Sequence, residues 1–208
     1  MIDPERAFPP DFPIVKLSNN RAQLSMRLTL RAKEKTPRGV QEKLFVEVTD
    51  YASTPHVYLS HAVDGPVFRV VAHAIAADRW MPTIAAAQLG KEPACRVREA
   101  IQTPGAHVYQ WTEFKGGPTD QGVVSRLLSF SFLDAPGQEY PWTVQLSEGP
   151  GRTIGSGAVA PAGKPTRQVQ MRLSSVQMMQ WMLMGLEALQ AYTTAAVAAS
   201  PLILRPRG

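Results

Sequence analysis

From Ala22 to Arg31 the chain alternates without a break: Leu24, Met26, Leu28 and Leu30 stand between Ser25, Arg27, Thr29 and Arg31. Successive side chains of a strand point to opposite faces. A period of two therefore predicts a half-buried strand with one apolar face and one basic, polar face. Glu42 to Tyr51 repeats the pattern, with Leu44, Val46 and Val48 on one side and Phe45, Glu47, Thr49 and Tyr51 on the other. Further strands are expected at His56 to Val63 and at Val67 to Ile75, separated by the turn signal Asp64-Gly65-Pro66. Between the first two strands, Ala32 to Gln41 is a charged connection holding Pro37 and Gly39.

The period then changes. Asp78 to Leu89 predicts a short helix capped by Asp78, with Pro82 in its first turn and Gly90 at its end. A short strand is expected around Arg96 to Ile101. Longer ones follow at Ala106 to Lys115, Val123 to Leu133, Trp142 to Ser147 and Arg167 to Leu173. Glu148 to Pro165, rich in Gly and Pro, reads as a long flexible loop. Ser174 and Gln177 form a capping-box signature. Val176, Met179, Leu183 and Leu186 then repeat at helical spacing, which predicts a helix to about Ala195.

The expected fold is thus α+β: two antiparallel four-stranded sheets in a pseudo-repeated ββββα–ββββα order, with the helices packed together. Residues 1–16 are read as a proline-rich arm, 17–197 as one domain with halves about 17–92 and 104–197, and 198–208 as a tail.

With 208 residues, 44% of them hydrophobic, the chain can bury one good core. Its single cysteine, Cys95, cannot form an internal disulfide, which favours a reducing compartment and a cytoplasmic location. The first residues lack the apolar stretch of a secretory signal, so no export is expected. Met178 to Ala191 is interrupted by Gln180, Glu187 and Gln190, so no membrane span is expected either.

The net charge of +5 is concentrated in two stretches. Lys16 to Lys43 holds eight basic residues against Glu34 and Glu42, and Arg152 to Arg172 holds four with no acid. Such stripes suit a polyanion, whose phosphates release counterions when neutralised, or else serve as a solvated, solubilising face.

No catalytic or metal-binding constellation is legible. His56, His61, His73 and His107 show no zinc-site spacing. The glycine-rich run from Gly149 to Gly157 lacks the Lys-Ser/Thr ending of a phosphate loop. No cofactor, metal or catalytic residue is assigned, and a non-enzymatic role is expected. Met171, Met178, Met179, Met182 and Met184 cluster on the last strand and helix, as core filling or as a contact surface. Apolar residues on more than one face of that helix suit burial against both its own sheet and another subunit.

Basic and aromatic side chains interleave, a combination that holds single-stranded nucleic acid because rings stack bases while cations follow phosphates. The candidate contacts are Arg27, Arg31, Lys33, Lys35, Arg38, Lys43, Phe45, Tyr58, Trp111, Lys115, Arg126 and Arg167. Two ββββα units, with a last strand running through Leu173-Ser-Ser into a long helix, resemble the Whirly-type single-stranded nucleic-acid-binding fold over about Leu17 to Ala195. The resemblance lies in element order. The family's Lys-Gly-Lys-Ala-Ala-Leu stretch is not present, and Lys115-Gly116 falls in the other half. It implies nucleic acid lying along exposed sheets and helices that join subunits. The expected function is low-specificity binding of single-stranded DNA or RNA by a homo-oligomer joined through the C-terminal helix. The alternative is a structural or assembly subunit of a protein complex.

Overall fold

A computed structural model of the chain describes residues 13–31, 41–76, 95–99, 107–120, 122–155 and 158–198. The first sheet is an antiparallel meander of β1 (Pro13–Ser18), β2 (Ala22–Arg31), β3 (Gln41–Asp50) and β4 (Val57–Asp64), adjacent in that order. Its register places Leu24 opposite Val48, Met26 opposite Val46 and Leu28 opposite Leu44. Val63 and Leu59 of β4 continue the same rows beside Leu44 and Val48. The alternation in the sequence is thus one continuous buried face.

The chain turns from β4 directly into α1 (Gly65–Ala76). This corrects the strand expected at Val67 to Ile75. The β-branched residues there invite a strand reading, but Phe68, Val71, Ala72 and Ile75 are buried at helical spacing, and Pro66 sits in the first turn, where its missing N–H costs nothing. The helix expected at Asp78 to Leu89 lies outside the described residues.

The second sheet has five strands, not four. They are β5 (Cys95–Glu99), β6 (His107–Thr119), β7 (Gly122–Asp134), β8 (Trp142–Thr153) and β10 (Arg167–Leu173), in the order β10-β8-β7-β6-β5. The expected flexible loop at Glu148 to Pro165 is largely ordered: β8 runs on to Thr153, and β9 (Val159–Pro161) pairs back onto it. Glycine permits this close packing, because a Cβ on Gly151 would lie 2.7 Å from the Val159 side chain.

The helix α2 (Ser175–Ala198) closes the fold. Its capping box forms as expected, with the Gln177 N–H donating to Ser174 Oγ at 3.2 Å and the Ser174 N–H donating to Gln177 Oε1 at 2.9 Å. Trp181 is fully buried and meets Phe130 of β7 edge-on at 6.0 Å, while Phe130 stacks on Trp111 at 5.2 Å. One turn further on, Gly185 lies so close to Met26 and Phe68 that a Cβ there would sit 2.6 Å from both side chains. Arg69 of α1 donates to the Leu189 carbonyl and to Thr193 Oγ1, tying the helices together. The helix α2 therefore touches the second sheet, the first sheet and α1 in succession. No helix among the described residues is long and apolar enough to cross a membrane.

Candidate functional site

Four strands of the second sheet share one pattern on their inner face. Along β6 it runs Trp111, Glu113, Lys115; along β7, Phe130, Leu128, Arg126; along β8, Val144, Leu146, Glu148; along β10, Met171, Val169, Arg167. Each begins apolar, within the core, and ends charged where the strand passes beyond it. Register then aligns the ends, with Lys115 opposite Arg126, Arg126 opposite Glu148 and Glu148 opposite Arg167. The result is a charged row across the sheet with three cations and one carboxylate.

The row meets the edge of β4. Lys115 Nζ donates to the Ala62 carbonyl at 2.6 Å, and Arg167 donates to the Tyr58 carbonyl at 3.0 Å. Glu148 receives Arg126 at 2.7 Å and Arg167 at 3.3 Å, so two guanidiniums, each about half exposed, share one carboxylate. Deeper in, the buried His61 places Nε2 3.0 Å from Glu113 Oε2. Lys115 also lies near Glu113 and Asp64, and Lys43 approaches Asp64 at 3.8 Å.

The outer face of the first sheet forms the other wall. Glu47 is its hub: Arg27 and the Tyr58 hydroxyl donate to Oε1 at 2.9 and 2.8 Å, and the Ser25 hydroxyl donates to Oε2 at 3.3 Å. Arg27 also lies over the Phe45 ring, 5.1 Å from its centroid. Partial burial, and then the carboxylate of Glu47 at its hydroxyl, push the Tyr58 phenol above its ordinary pKa of 10.0. Between the walls runs a groove of about 300 Å³ lined by Phe45, Ser60, Ala62, Lys115 and Arg126, among others.

Arg27, Lys43, Phe45, Tyr58, Lys115, Arg126 and Arg167 are thus brought together along one seam between the sheets. Trp111 is the correction. It is only 4% exposed and stacks on Phe130, because its stretch of β6 still lies within the core. Arg31 closes β2 opposite Gln41, and Lys33, Lys35 and Arg38 lie outside the described residues. Alternation already puts Glu47 on the face of Phe45 and Glu113 on that of Lys115, whereas Asp64 and Glu148 join the cations only through cross-strand register. Among the described residues, no three His, Cys, Asp or Glu side chains gather as a metal site. No family model matches the chain, and no curated protein matches it.

Proposed function

We propose that the chain binds single-stranded DNA or RNA along this seam, with little sequence preference and without catalysis. The observation that carries the reading is the row of Lys115, Arg126 and Arg167, holding a single carboxylate, beside the rings of Phe45 and Tyr58. Cations that follow phosphates and rings that stack bases are the two components such binding needs. The ion pairs do not oppose it. Half-exposed pairs contribute about 0–1 kcal/mol each, whereas a fully buried apolar side chain contributes about 1.5–3 kcal/mol. Arg126 and Arg167 can therefore exchange Glu148 for phosphate without loosening the fold.

The test is anisotropy of a labelled single-stranded oligonucleotide, against its duplex, over a range of salt. Tight binding to the single strand should weaken steeply with salt, and Arg126→Glu should both lower affinity and flatten the salt slope by about 1. No binding at low salt removes the reading.

The exposed apolar side chains Val176, Met179 and Leu183 on α2 support association through that helix, as a homo-oligomer or, in the second reading, as an assembly subunit. Sedimentation distinguishes these: self-association that Leu183→Glu abolishes favours the homo-oligomer, and a monomer at all concentrations favours the assembly subunit.

A further inference from the structure

The two sheets treat their edge strands differently. An edge strand turns unpaired N–H and C=O groups outward, and proteins ordinarily cover them. On β4 the Tyr58 and Ala62 carbonyls are covered by Arg167 and Lys115. On β10, the last strand on its side of the second sheet, no described residue pairs with the outer edge.

Alongside β10 runs a groove of about 550 Å³. Gln168 to Arg172 form one wall, and Asn19, Arg21, Ala22 and Asp50 form the other. Arg21 and Arg172 are exposed and make no ion pair among the described residues, unlike the cations of the seam. The one acid, Asp50, is already engaged, accepting from the Ser53 hydroxyl at 2.5 Å and the Ala52 N–H at 2.8 Å. The Asn19 side-chain oxygen accepts from the N–H groups of Arg21 and Ala22. Among the described residues, what the groove offers a ligand is therefore an open strand edge, two glutamine amides and two exposed guanidiniums, one of which, Arg21, also lies in the field of Asp50.

We propose that β10 takes up an extended acidic peptide as an added strand, its carboxylates meeting Arg21 and Arg172. A strand edge presents donors and acceptors in alternation, and only another peptide backbone answers both. A phosphodiester backbone has acceptors and no donors, so it would leave the outward carbonyls of β10 unsatisfied. The guanidiniums select carboxylates by charge-assisted, planar hydrogen bonding. The site lies on the opposite edge of the second sheet's ladder from β5 and draws on Gln168 to Arg172, using neither Arg126 nor Phe45; it shares β10 with Arg167 of the seam, and the variants below separate the two.

The test uses the full chain and three fluorescein-labelled peptides of about eight residues, enough to span β10 at ~3.4 Å per residue. One alternates Glu and Val, one replaces Glu by Lys, and one replaces alternate residues of the first by Pro, which removes donors. The Glu-Val peptide should bind saturably and the other two at least tenfold more weakly. It should also slow amide exchange within β10. The double variant Arg21→Glu/Arg172→Glu, both at exposed positions, should lose tenfold or more in peptide affinity and keep its affinity for oligonucleotide, whereas Arg126→Glu should do the reverse. Equal binding of all three peptides, no binding, or unchanged exchange in β10 overturns the proposal. So does a double variant that loses oligonucleotide and retains peptide, which would give the groove to nucleic acid.

Discussion

Glu47 shows how a single carboxylate organises the outer face of a sheet. It stands in the middle of β3, opposite Ser25 on one neighbour and Ser60 on the other, and receives hydrogen bonds from Ser25, Arg27 and Tyr58. Its charge favours the neutral phenol of Tyr58, whose pKa is raised in the folded state. The stability this contributes is fully present below the ordinary tyrosine pKa and is lost as pH rises through the raised one. Glu47→Gln should bring Tyr58 ionisation back toward lower pH in an ultraviolet titration, with Tyr58→Phe identifying the step. Asp50 behaves oppositely. The Ser53 hydroxyl and then the Ala52 N–H hold its carboxyl below the ordinary value, so its contribution is present above the usual carboxylate range and fades as pH falls through the lowered pKa. At Gly185 the constraint is steric. Gly185→Ala drives a methyl into Met26 and Phe68, and overpacking of this kind costs about 1–3 kcal/mol. Urea unfolding should show the midpoint falling with an unchanged slope.

At the scale of elements, what the sequence makes legible is what local periodicity encodes. β2 and β3 carry their alternation intact, β10 begins and ends where expected, and the cap of α2 is written in Ser174 and Gln177. Removing that cap by Ser174→Ala should cost about 0.5–2 kcal/mol, measured by denaturant unfolding. Periodicity fails where two periods compete. Val67 to Ile75 is apolar enough to satisfy either, and the direct entry from β4 through Pro66 decides for the helix. Glycine and proline between Glu148 and Pro165 mark not a flexible loop but a hairpin packed so tightly that side chains would collide. The site was half legible for the same reason. Arg27 and Phe45 follow from alternation along single strands, but a basic face and a core face are not separate along β6. One face holds Trp111 in the core and Lys115 at the seam, and only the length of the strand past the core tells them apart.

Across the whole molecule, apolar packing joins the sheets, and the charged seam lies where that packing ends. Salt should therefore separate the proposed binding from stability: if the seam binds oligonucleotide, affinity should fall steeply between low and physiological ionic strength while the unfolding midpoint moves little, because exposed pairs contribute little. Calorimetry and anisotropy on the same samples check this. A further consequence lies in the order of synthesis. The helix that fills the space between both sheets and α1 is the described element nearest the C-terminus. A ribosome delivers β1 to β4 and α1 before α2, so Met26 and Phe68 emerge well before Gly185 arrives to cover them. Domains fold as units, and this one cannot close before α2 is made. Until α2 is made, Met26 and Phe68 form part of an open apolar surface suited to a chaperone, and α2 closes it.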